Sequence, residues 1–143
     1  MATELDHSFS TEKSIEDNFA AITNLERVVP AVEGGRVLET TGPDSVKAEI
    51  VMRMGAMTMK MLGTVEVTEQ NAEAHRAVLR VKAKEAGGQG HANADVTFQL
   101  TDGGGTIHTR AQITGKAASM GEGAVAGFLD GMITDFSTKV GQI

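Results

Sequence analysis

The sequence predicts an α+β protein: a curved antiparallel sheet of about seven strands wrapped around a long C-terminal helix, with two short helices after strand 1. Three observations predict it. Residues 15–29 repeat apolar side chains every three or four positions, residues 36–114 alternate apolar with polar between short turns, and residues 119–143 return to a helical period. A chain of 143 residues, 41% hydrophobic and 22% charged, suits one domain spanning 1–143.

Each element follows from its pattern. A short strand is expected from about Glu4 to Ser10. In "SIEDNFAAITNLERVV" the residues Ile15, Phe19, Ile22, Leu25 and Val29 form a helical stripe, one helix or a bent pair, with Ser14 as N-cap and Pro30 as terminator. Turn signals at "TGPD", "MGAM", "EQNA", "AGGQG" and "TDGGG" then divide six strands into an antiparallel meander. Their inward rows are Val46, Ala48, Ile50, Met52, Met54; Met57, Met59, Met61, Val65, Val67; Ala77, Leu79, Val81, Ala83; Ala92, Ala94, Val96, Phe98, Leu100; and Ile107, Ala111, Ile113. Lys47, Glu49, Arg53, Lys60, Glu66, Arg80, Lys82, Asp95 and Gln99 alternate with them, so one face is solvated and the other covered. The cover is the final helix, whose Val125, Phe128, Leu129, Met132, Ile133, Phe136 and Val140 share a stripe.

Composition excludes several function classes. A net charge of -6 argues against a nucleic-acid surface, which needs clustered cations. The absence of cysteine removes disulfides, thiolate metal sites and a cysteine nucleophile. There is no secretory leader pattern and no apolar run long enough to span a bilayer, so any membrane contact is expected to be peripheral.

Five of the eight methionines fall in "VMRMGAMTMKML": Met52, Met54, Met57, Met59 and Met61. Period-two spacing puts them on one face of a hairpin that turns near Gly55 and Ala56. A Cu(I) site of converging thioethers fits that geometry, but the segment holds no histidine. Methionine repacks around variable shapes, and the inward rows are rich in alanine, including Ala48, Ala77, Ala83, Ala92, Ala94 and Ala111. The expectation is therefore the lining of an adaptable apolar cavity, with ordinary core packing the alternative.

Other candidates carry less chemistry. His7, His75, His91 and His108 are scattered, without metal spacing or a nucleophile partner, and read as solvated or hydrogen-bonded strand residues. His91 alone is kept as a polar contact at a pocket mouth. The glycine-rich turns precede no helix and are not phosphate loops. "TGKAASMGEG", with Lys116, leads into the last helix and serves either as gate or as connector. Gly123, Gly127 and Gly131 recur every fourth residue opposite the apolar stripe. They form a smooth face for a partner protein or a membrane surface, or else a soft helix that moves to admit a ligand.

The segments "VVPAVEGGRVLE", "GTVEVTE", "ADVTFQLTDGGGTIHTRAQITGKAASMG" and the late "DF" pair Asp135–Phe136, in this order and spacing, resemble the G-subunit family of carbon monoxide dehydrogenase. That family lies within the START-like, Bet v 1-like (SRPBCC) helix-grip superfamily. Many relatives have a proline after the first strand and a tryptophan in the first helix, where this chain has Lys13–Ser14 and Phe19.

The resemblance implies a non-enzymatic accessory protein of a molybdenum hydroxylase-type carbon monoxide dehydrogenase, cytoplasmic and peripheral at the inner face of the membrane. It implies no covalently attached cofactor, but a bound menaquinone, ubiquinone or other lipid; a nucleic-acid partner is already excluded by the charge. The side chains expected around such a guest are Phe19, Ile22, Ile50, Met52, Met54, Met57, Met59, Met61, Val65, Leu79, Val96, Phe98, Val125, Phe128, Leu129, Met132 and Phe136. Neither a catalytic nor a metal-ligating residue is expected. The alternatives are a structural adaptor without ligand and a START-like cyclase-type enzyme. The latter would need an acid or base on the inward rows, which carry none.

Overall fold

Alternating rows pair as the pattern requires. The computed structural model describes residues 2–88, 90–115 and 117–143. Among these, β1 (Ala2–Ser10), β2 (Gly35–Gly42), β3 (Ser45–Met54), β4 (Met57–Asn71), β5 (Arg76–Glu85), β6 (Gly90–Thr101) and β7 (Gly104–Gly115) form one antiparallel sheet in the order β1-β7-β6-β5-β4-β3-β2. The first strand begins two residues earlier than its pattern suggested and pairs along its length with β7, Ala2 facing Gln112 and Ser10 facing Gly104.

The chain crosses from one sheet edge to the other through α1 (Ile15–Ile22), α2 (Leu25–Val28) and a 3-10 turn at Val29–Ala31 that contains Pro30. This is the bent pair. The Ser14 hydroxyl accepts from the Asp17 amide at 3.2 Å, and the Asp102 carboxylate accepts from the Ile15 amide at 2.8 Å, so the β6–β7 turn also caps α1. Buried Asn18 accepts from the Thr11 hydroxyl and donates to the Thr101 carbonyl, tying α1 to the same turn.

A second 3-10 turn, Ala117–Met120, leads into α3 (Glu122–Val140), which begins three residues later than the sequence stripe suggested. Lys116, the candidate gate residue, lies outside the described residues.

Two devices curve the sheet. Register shifts in β2 at Val37/Glu39 and in β4 at Val67/Glu69 insert extra residues and bend those strands. The shift in edge strand β2 leaves Leu38 exposed. At Gly63 a Cβ would stand 1.9 Å from the Lys82 carbonyl oxygen, so β4 and β5 approach there as only glycine permits.

The outer face departs from expectation at Glu49, which is buried, not solvated: its side chain is only 10% exposed. Arg36 on β2 and Lys60 on β4 lie over it at 3.1 and 3.6 Å. The Arg36 hydrogen bond, opposed by burial and helped by the charges of Arg36 and Lys60, holds its carboxyl below the usual range.

The core is in two parts. One gathers Phe9, Ile22, Leu25, Val46, Phe98, Leu100, Ile107, Phe136 and Val140. The other gathers Met52, Met54, Met59, Met61, Ala111, Val125 and Leu129, with Met57, Phe128 and Met132 against them. The helix α3 spans both. Its last turns are fixed by Phe136, edge-on to Phe98 at 6.2 Å, and by Gly141, where a Cβ would stand 2.4 Å from the Ser10 carbonyl oxygen. Burying each such large apolar side chain contributes about 1.5–3 kcal/mol.

Candidate functional site

Between the sheet's concave face and α3 lies an apolar cavity of about 140 Å³. The sheet supplies Ile50 and Met52 from β3, Val65 from β4, Leu79 and Val81 from β5, Ala92, Ala94, Val96 and Phe98 from β6, and Thr109, Ala111 and Ile113 from β7. The helix α3 closes it with Leu129, Met132, Ile133 and Phe136, and the segment before β2 adds Val28, Val29 and Val32. Three of the sheet residues on this wall, Ala92, Ala94 and Ala111, have side chains of a single methyl, which leaves room beneath the helix. Its volume matches a site for one benzene-sized ring and is well below the roughly 300–1,000 Å³ of drug-sized pockets.

Of the side chains expected around a guest, Ile50, Met52, Val65, Leu79, Val96, Phe98, Leu129, Met132 and Phe136 meet on this wall. The structure places the others elsewhere. Met54, Met57, Met59, Met61, Val125 and Phe128 pack into the methionine part of the core, and Phe19 and Ile22 belong with the opposite part. The hairpin register is the expected one, with Met52 facing Met59, Met54 facing Met57 and Gly55 at φ 62° in the turn. However, the strand pair runs past the end of the cavity, so only Met52 of the five reaches it. Val29, Val81, Ile113 and Ile133 also line the cavity; the sequence puts them on inward stripes but not at its depth, and Val28 and Val32, which lie off those stripes, were passed over altogether.

Thr109 is the polar residue that the reading missed. It occupies an inward position of β7 between Ile107 and Ala111, is 2% exposed, and its Oγ1 has no hydrogen-bond partner. The register places Leu5 and Val96 on either side of it. A hydroxyl buried this way costs about 1–3 kcal/mol. The signal was a lone Thr in an otherwise apolar period-two row, obscured because threonine suits either face of a strand. Asn93 also borders the cavity, but it is exposed and lies between inward Ala92 and Ala94, so its side chain belongs to the outer face.

The histidines lie off this wall. His7 faces inward on β1 and its Nε2 meets the Asp130 carboxylate of α3 at 2.8 Å, while its Nδ1 is buried without a partner. His75 sits in the β4–β5 turn at φ 54°. His91 corrects the expectation of a pocket-mouth contact: alternation turns it to the outer face, where it is exposed. His108 is also on the outer face, between Asp6 and Glu4. No group of three or more His, Asp or Glu side chains is gathered to hold a metal ion among the described residues. No helix among them is long and apolar enough to cross a membrane.

Beside the cavity runs an outer groove of about 410 Å³, lined by Glu33, Gly34, Val51, Arg53, Gly127, Phe128, Gly131 and Met132. Met132 borders both spaces. The three helical glycines are exposed, with no atom within 4 Å of a Cβ built on Gly123, Gly127 or Gly131.

A seven-stranded antiparallel sheet holding a long C-terminal helix across an apolar hollow defines a START-like, helix-grip protein. Within that class the chain belongs to the CoxG family, the G-subunit family of carbon monoxide dehydrogenase, whose model matches residues 8–142. Solved structures agree on the fold. A conserved protein from Geobacillus kaustophilus is 21% identical, with 99% of this chain and 93% of that chain covered and a TM-score of 0.80. A START superfamily protein from Mycobacterium smegmatis is 7% identical over 97% and 94% of the two chains, with a TM-score of 0.62. The Zhui aromatase/cyclase from Streptomyces sp. R1128 is 8% identical over 99% and 90%, with a TM-score of 0.57. At these identities the likeness is one of fold alone. No curated protein matches the sequence.

Proposed function

We propose that the chain is a non-enzymatic carrier: it holds an isoprenoid quinone, menaquinone or ubiquinone, or a comparable lipid. In this reading it serves a molybdenum carbon monoxide dehydrogenase at the inner face of the cytoplasmic membrane, helping to couple or recruit the enzyme there. The observation that carries the reading is the cavity wall, apolar throughout except for Thr109 and the edge of Asn93, and without an ionisable side chain among the described residues. Acid–base catalysis needs such a group within reach of the reacting atoms. Family membership supplies the dehydrogenase side of the proposal.

The volume shapes the mode of binding. The resting cavity of about 140 Å³ is benzene-sized, so a substituted quinone head group enters only as the flexible Met52 and Met132 repack around it, and a polyprenyl tail does not fit. The tail therefore leaves past Met132, whose flexible thioether separates the cavity from the groove beside Gly127 and Gly131.

Organic extraction of the purified protein followed by mass spectrometry tests the reading. A prenyl quinone or lipid is expected at near-equimolar yield. Ala94→Leu, which projects a larger side chain into the cavity, is expected to abolish loading while leaving the melting temperature within a few degrees. An empty native protein, even after incubation with menaquinone and ubiquinone, would overturn the proposal.

A further inference from the structure

Resting on the cavity as a quinone-type site, we propose that Thr109 is its specificity-determining residue, reading one oxygen of the guest's ring. Thr109 borders the cavity and is 2% exposed, and its Oγ1 is buried without a partner beneath the wall, so a turn about χ1 that exchanges the hydroxyl with the methyl brings it to a guest. Leu5, Val96, Ile107 and Ala111 surround it on the sheet, so no neighbouring side chain can satisfy it. A valine would fill nearly the same space without desolvating a hydroxyl. What the hydroxyl gains is realised only when a guest brings an oxygen to it.

The chemistry of that oxygen is set by the residue type. A threonine hydroxyl both donates and accepts. It therefore donates to the carbonyl of an oxidised ring and accepts from the hydroxyl of the reduced ring, and holds both forms in one orientation. A single polar point in an apolar hollow fixes which end of the guest goes in first. His7 Nδ1 is also buried and unpartnered, but it does not line the cavity.

The test compares tetramethyl-1,4-benzoquinone with 1,2,4,5-tetramethylbenzene, rings of similar shape with and without oxygens, by calorimetry and by shifts of inner-face methyl resonances. The native protein is expected to prefer the quinone. Thr109→Val is expected to weaken quinone binding about tenfold, the worth of one hydrogen bond, and to leave the hydrocarbon unchanged or tighter. Thr109→Ser is expected to keep the native preference. Should the valine variant fail to fold, Thr109→Ala is read by the same ratio of the two probes. If the variant binds both probes as the native protein does, or weakens both equally, the role of Thr109 is overturned while the cavity reading stands. If neither probe binds the native protein, the cavity reading falls and Thr109 with it.

Discussion

His108 stands between two carboxylates on the outer face, Nδ1 2.7 Å from Asp6 and Nε2 3.3 Å from Glu4. The Asp6 hydrogen bond, opposed by burial and aided by both charges, raises its pKa above the usual histidine value. The folded value thus exceeds the unfolded one of about 6.5. Its contribution to stability is full below that unfolded value and is lost as pH rises through the folded one. Asp6→Asn is expected to lower the ring's titration midpoint, measured by NMR, and to flatten stability against pH in that window. Single residues are also where the sequence is least legible. Period-two spacing assigned Met54, Met59 and Met61 to the inner face correctly, yet spacing carries no information about depth along the sheet, and they fill core instead of lining the cavity. Glu49 was assigned to solvent by the same alternation. Only the cross-strand register, which brings Arg36 and Lys60 over it, shows that it is covered.

Glycines separate two kinds of element. In β4, Gly63 permits a backbone approach that any Cβ would block, and Gly63→Ala is expected to destabilise the fold by about 1–3 kcal/mol or more, read from denaturant midpoints. In α3, Gly127 meets nothing, and its φ is not positive. Gly127→Ala is expected to raise stability by about 0.5–1 kcal/mol in the same assay. Elements themselves were legible because period and punctuation agree: Ser14 caps where the helical period starts, and Gly55 turns where the methionine alternation reverses. The bulges in β2 and β4 were not. An inserted residue such as Leu38 or Thr68 leaves no mark on a strand pattern until its partner strand is known.

For the whole molecule, the order of elements fixed the sheet and its cover, and the inward alanines foretold a hollow. The division of the core was hidden, since it depends on where α3 crosses the sheet. That helix is held unevenly. Its final turns carry Phe136, Val140 and the Gly141–Ser10 approach, while its first turns carry Gly123 and Gly127, no side-chain cap, and methionine neighbours. Amide hydrogen exchange is expected to be faster in the first turns than in the last by at least an order of magnitude, and equal rates along α3 would contradict this uneven anchoring. For the carrier proposed above, the consequence is a cover hinged at one end. Its guest is expected to exchange by lifting the methionine end while the phenylalanine end stays latched, so that residence time follows one local opening and not the free energy of unfolding the chain.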